Sequence, residues 1–259
     1  MKSKLAVVKI GGNVIENKEE LSGFLNLFAQ MESPKILVHG GGKKATQILK
    51  KMGITPKMEG GRRITDAESL EVVTMVYGGL ANKTIVAKLQ AQACNAIGLS
   101  GADADAIRAH KRPVKEIDYG FAGDIDIVNT EAIANLLHSG FVPVFCALTH
   151  NGKGQLLNTN ADTIASEIAI GMGHSYETTL YYCFEKRGVL SDMTDDNSVI
   201  ETIDYKNYME LREKGIISQG MLPKLENCFH ALQKNVHKVC IGAISMIDSE
   251  PGLYTTLTL

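Results

Sequence analysis

The chain has 259 residues, 44% of them hydrophobic and 22% charged, with a formal net charge of −2 at pH 7. That length supports one large core or two unequal lobes, and the near-neutral balance argues against a partner such as nucleic acid or an anionic membrane surface. Five scattered cysteines with no C-x-x-C argue against a disulfide framework or a zinc site and fit a reducing cytosol, and no window reaches the ~18 apolar residues of a membrane span.

The first predicted element is a strand over 5–10, "LAVVKI", which carries Lys9 near its end and runs into Gly11 and Gly12. A buried, unpaired ammonium is heavily penalised, so this lysine predicts an anion beside it. A helix over 18–31 follows, and then a second apolar strand over 35–39, "KILVH". That strand also ends in glycine, at Gly40, Gly41 and Gly42, flanked by His39 and Lys43, and opens a helix over 42–52. Glycine at a strand-to-helix turn lets backbone N–H groups face a cleft, where they favour phosphate. One such turn is often only a turn; two in succession, each beside a cation, point to a phosphoryl group.

"GGRRIT" at 60–65 sets Arg62 and Arg63 beside glycine. Arginine suits bidentate capture of a carboxylate, although a solvated loop pair is the plainer reading of either residue alone. Helices are predicted over 66–78 and 80–94 and a strand over 95–100. The polar, turn-rich stretch 101–130 reads as a β-hairpin or meander attached to the main sheet. A helix over 130–138 and a continuous apolar strand over 141–147 come next.

"LLNTNADTIASEIA" at 156–169 sets Asn158 and Asn160 at alternate positions before Asp162, as the chain enters a helix over 161–171. Asp162 is either a first-turn acid or something more, and paired asparagines can fix the polar groups of a small substrate. A lobe boundary is expected near Gly171–Gly173, dividing 1–173 from 174–259; no Pro- or Ser-rich linker separates them, so one continuous sheet is expected. A strand over 179–184, helices over 206–214 and 221–234 and a strand over 238–242 complete the pattern. "GIISQGMLPKLENC" at 215–228 brings Lys224 into the first turns of its helix. A cation there opposes the helix dipole, and a compensating anion is expected.

Apolar strands alternating with helices predict an α/β protein whose parallel sheet is buried on both faces. There is no G-x-x-x-x-G-K-[ST], and no strand is followed by G-x-G-x-x-G; "GMGHSY" at 171–176 lacks the last glycine. A P-loop is excluded and a dinucleotide-dependent oxidoreductase becomes a distant reading.

Together, "VKIGGNVI", "VHGGGKKATQIL", "GGRRIT", "ANKT", "NTNADT" and "QGMLPKLENC" resemble the amino-acid kinase family, in order and nearly end to end. The resemblance implies a three-layer αβα sandwich on a mainly parallel open sheet, with an N-terminal lobe for the acceptor and dimerisation and a C-terminal lobe for ATP. The implied reaction carries the γ-phosphoryl of MgATP to the side-chain carboxylate of an N-acyl-L-glutamate in arginine biosynthesis. N-acetyl is the first expectation and N-succinyl the alternative. By the same resemblance, Lys9 and Lys224 neutralise the moving phosphoryl group and Asp162 orients the two lysines. Gly11, Gly12, Gly41 and Gly42 hold its oxygens, the latter two facing the acceptor as well. Arg63 clamps an acceptor carboxylate, and Asn158 and Asn160 are substrate ligands. The nucleotide segments are placed by the same resemblance at Glu185, Lys186, Arg187, Gly188, Val189 and Leu190 and at Ile216, Ile217 and Ser218. The first of these departs from the family's pattern, with Glu185 at an aspartate position and Lys186 and Arg187 added. Mg2+ is expected to ride on the nucleotide with no direct protein ligand, and lobe closure to exclude water. The chain starts at its first strand, and arginine-inhibited hexameric relatives carry a preceding helix; a cytoplasmic, arginine-insensitive homodimer is therefore expected. Rival readings are family kinases for carbamate, aspartate, glutamate or UMP, and a non-catalytic sensor on the same fold.

Overall fold

The computed structural model describes residues 2–192, 194–217 and 221–259. β1 (Lys4–Ile10) leads through two helices, α1 (Gly12–Glu16) and α2 (Lys18–Gln30), to β2 (Lys35–His39) and α3 (Gly42–Lys51). A small hairpin of β3 (Lys57–Glu59) and β4 (Arg62–Ile64) precedes α4 (Ala67–Thr74) and α5 (Asn82–Gln90). Then come β5 (Ala96–Leu99), β6 (Ile107–Lys111), β7 (Gly123–Val128), α6 (Thr130–His138), β8 (Val142–Cys146), β9 (Leu148–His150) and β10 (Leu156–Asn158). The last part holds α7 (Ala161–Met172), β11 (Glu177–Cys183), β12 (Thr202–Ile203), α8 (Tyr205–Glu213), α9 (Leu222–Gln233), β13 (Lys238–Gly242) and β14 (Thr255–Leu257).

Eight strands form one sheet in the order β12-β14-β13-β11-β1-β2-β8-β5. From β13 to β5 every pairing is parallel; only β14 turns antiparallel against β13. The six strands read from the sequence are the six consecutive parallel ones, β13 to β5, because each is a near-continuous apolar run. Alternation along β1 shows the layers. Leu5 and Val7 join one core with α3, α4, α7 and α9, whereas Ala6, Val8 and Ile10 join the other with α2 and α5. This is a three-layer αβα sandwich. β1 lies inside the sheet, with β2 on one side and β11 on the other, so the chain order reverses beside it. Ligands in open α/β sheets bind at such a point, above the carboxyl ends of the strands.

Two expectations are corrected. The 101–130 stretch does contain a hairpin, β6 with β7, but it joins β9 and β10 in a separate four-stranded sheet rather than the main one. The reason lies in its pattern: Ile107 and Ala109 are buried while Arg108 and His110 face solvent, which suits a one-sided antiparallel sheet. The break between the helices over 66–78 and 80–94 is also absent. The chain runs from α4 into α5 through a widened turn, Met75–Ala81, where the Asn82 N–H reaches back to the Tyr77 carbonyl. Gly78 and Gly79 sit in that turn, which is of the kind that clusters at functional sites.

Candidate active site

Lys9 is 7% exposed near the carboxyl end of β1, and its ammonium lies 2.6 Å from a carboxylate oxygen of Asp162. Asp162 stands in the first turn of α7, where Asn160 caps the helix by accepting the N–H of Asp162 at 2.7 Å and of Thr163 at 3.2 Å. The anion predicted beside Lys9 is thus the protein's own, and Asn160's side-chain oxygen is occupied in aiming it.

On one side of this pair lies a cavity of about 210 Å³, bounded by Gly40, Gly41, Gly42, Arg63, Tyr77 and Asn158. Arg63 is 7% exposed; one terminal nitrogen donates to the Gly42 carbonyl at 2.9 Å and to the Thr46 hydroxyl at 2.7 Å. Its Nε and Nη1 are buried without a protein acceptor. Leaving such donors bare costs about 1–3 kcal/mol or more, and their natural complement is an acid group in the cavity. Asn158, at the end of β10, donates to the Thr65 hydroxyl at 2.9 Å. A methyl group at Gly41 would lie 2.7 Å from the Tyr77 ring, so only glycine lets the turn and the ring approach this closely.

His39, at the end of β2, does not serve as the second turn's cation. It is fully buried; Nδ1 meets the Gly40 carbonyl at 2.7 Å and Nε2 meets the Asn82 amide at 3.1 Å. Burial pushes its pKa down to about 4, so the neutral ring donates to Gly40, accepts from Asn82 and fixes the turn. Asn82 also donates to the Val144 carbonyl at 2.9 Å, tying the turn to β8.

On the other side of Lys9 is a cavity of about 380 Å³, bounded by Gly11, Gly12, Phe184, Glu185, Lys186 and Lys224 among others. Asp162 faces both cavities. Lys186 is paired with Asp196 at 2.6 Å, and Arg187 donates to Asn197 at 3.1 Å. Gly188 backs against Thr255, and Val189 and Leu190 are buried at 2% and 4% exposure. Ile217 is buried and Ile216 half-buried. Of the expected nucleotide residues, Glu185 and Lys186 therefore line this cavity, whereas Arg187, Gly188, Val189, Leu190, Ile216 and Ile217 do not; Ser218 lies outside the described residues. Among the described residues no cluster of three or more His, Cys, Asp or Glu is placed to hold a metal.

Sequence reasoning missed Tyr77, Arg112 and Phe184. Arg112 follows β6, reaches the first cavity and is held by Asp124 and the Tyr119 ring. Its signal was the run of basic residues Arg108, His110, Lys111 and Arg112; Tyr77 left none beyond its glycine neighbours.

Residues 4–243 match the model of the amino acid kinase family. A Bacteroides fragilis protein named acetylglutamate kinase is 53% identical over 252 residues, covering 97% of each chain. One of the same name from Cytophaga hutchinsonii is 54% identical over 239 residues, or 92% of this chain and 90% of that one. Among solved structures, carbamate kinase from Giardia lamblia bound to AMP-PNP superposes with a TM-score of 0.73 at 13% identity, over 99% of this chain and 98% of that one, a likeness of fold.

Proposed function

The chain belongs to the amino acid kinase family, and from that premise we propose that it transfers the γ-phosphoryl group of MgATP to the side-chain carboxylate of N-acetyl-L-glutamate. The product is an acyl phosphate, and the reaction is the acetylglutamate kinase step of arginine biosynthesis. The observation that carries the reading is the pair of cavities sharing the Lys9–Asp162 ion pair, one of them furnished with the unpaired donors of Arg63.

The acceptor occupies the smaller cavity, with its α-carboxylate on Arg63 and polar contacts from Asn158 and the Gly41–Gly42 turn. Asn160 contributes mainly by capping α7. The reactive carboxylate then points at Lys9. ATP occupies the larger cavity with its phosphates toward Gly11, Gly12 and Lys224, and Mg2+ arrives as part of the nucleotide substrate. The nucleophile is already an anion, so no general base is needed. Alignment and charge neutralisation between the lysines supply the catalysis, and Asp162 keeps Lys9 aimed as the phosphoryl group moves to the acceptor oxygen and negative charge builds on the leaving ADP. On this reading, residues 1–173 form the acceptor and dimerisation lobe and 174–259 the nucleotide lobe of a cytoplasmic homodimer.

One observation favours N-succinyl-L-glutamate as a second reading. Arg62 and Arg112 border both the acceptor cavity and an adjoining one of about 640 Å³ that also holds His110 and Lys115. A terminal carboxylate on the acyl chain would meet Arg62 and Lys115 there, although Glu116 and the Arg112 partner Asp124 line the same cavity. The test is ATP turnover with hydroxylamine trapping of the acyl phosphate, comparing N-acetyl-L-glutamate, N-succinyl-L-glutamate, glutamate and aspartate. Trapped product with N-acetyl-L-glutamate is expected. Product with N-succinyl-L-glutamate alone would select the second reading, and silence with all four would overturn both.

A further inference from the structure

Lys224 poses an electrostatic problem. It is the third residue of α9, where the helix dipole repels a cation. Among the described residues no carboxylate lies within 4 Å of it. Asp162, which faces the same cavity, is paired with Lys9. What Lys224 does meet is an aromatic face, since its ammonium lies 4.0 Å from the Phe184 ring centroid. The Lys9 ammonium lies 5.6 Å from the same centroid. Both distances are within the ~6 Å at which a ring quadrupole attracts a cation.

The ring is itself held. Phe184 directly follows β11 and stacks on Tyr182, with centroids 6.1 Å apart and planes 15° from parallel. The buried Tyr182 hydroxyl donates to the Asp162 carbonyl at 3.0 Å. One strand end therefore joins the stack under Lys224 to the residue that holds Lys9. An aromatic face also suits the task, because it carries no net charge. It can orient an ammonium without neutralising it, whereas a carboxylate would compete with incoming phosphate.

We propose that Phe184 is a positioning residue for phosphoryl transfer, its ring holding Lys224 in register with the Lys9–Asp162 pair while the phosphoryl group is transferred. This rests on the kinase reading above and adds a residue to it.

The experiment is a double-mutant cycle on the full chain, using hydroxylamine-trapped turnover with MgATP and N-acetyl-L-glutamate. Phe184→Leu is expected to lower kcat about tenfold, equivalent to about 1.4 kcal/mol, with the acceptor KM changed less than twofold. Phe184→Tyr, which keeps the face, is expected to recover most of that loss. In a Lys224→Ala background, Phe184→Leu is expected to lower kcat no further, because the ring has lost the group it positions. Equal rates for leucine and tyrosine, or a full tenfold loss in the Lys224→Ala background, would overturn the proposal and leave Phe184 as packing. If Phe184→Leu does not fold, Phe184→Met carries the same comparison. An inactive wild-type chain would instead overturn the kinase reading itself.

Discussion

The two cavities that meet at Lys9 are held in opposite ways. In the smaller one the polar side chains are fastened inside the fold: Arg63 to Gly42 and Thr46, Asn158 to Thr65, and the Gly41 turn against Tyr77. In the larger one the charged groups are held at the surface or on a ring. Lys186 and Asp196 pair with side chains 48% and 65% exposed, and Lys224 rests on Phe184. Exposed ion pairs contribute about 0–1 kcal/mol, so they yield readily to a competing charge, whereas buried hydrogen bonds resist rearrangement. The difference teaches where order must be built in advance. A small acceptor brings little binding energy and needs a finished site; a nucleotide brings several charges and can complete its own.

The largest expected effect falls at the seam between the two regions. Lys9→Ala should lower kcat about 10³-fold with the fold retained, the scale seen for losing one preorganised charge-stabilising group; near wild-type turnover would break the scheme. Next comes the rigid side's buried histidine. His39 has its folded pKa depressed to about 4 from 6.5 by burial, so the unfolded chain binds the extra proton first as pH falls. Stability is then full above about pH 6.5 and declines toward pH 4, by as much as about 3 kcal/mol. Melting temperatures across that range should fall less steeply for a His39→Asn variant. Arg63→Ala should raise the acceptor KM about 100-fold with a smaller effect on kcat, and a pure kcat effect would count against the clamp. The smallest effect belongs to the yielding side: Asp196→Ala should change the ATP KM less than about threefold, because the pair it removes is exposed. A tenfold change there would mean that this side, too, is built in advance.

How much of this was legible in the sequence follows the same division. Lys9, both glycine turns, Arg63 and Asp162 stand in short continuous motifs whose chemistry is local, and the parallel strands from β13 to β5 announced themselves as apolar runs. Phe184 was not legible as a lysine support, since its partners come from β1 and α9, distant in sequence. Lys186 and Arg187 entered the nucleotide segment by the resemblance alone, and their partners Asp196 and Asn197, ten residues further on, had no local signal. β12 and β14 escaped notice because strands of two and three residues carry no periodicity.

The ladder between β1 and β11 runs register for register from Lys4 with Glu177 to Ile10 with Cys183. A cut at Gly173 would therefore separate two fragments through the inside of one sheet, each left with a bare hydrogen-bonding edge along β1 or β11. Neither piece would be an autonomous unit. Produced together, they are expected to act as a split-protein pair whose recombination restores the sheet and the seam holding Lys9, so that recovered turnover would be proportional to the amount reassembled.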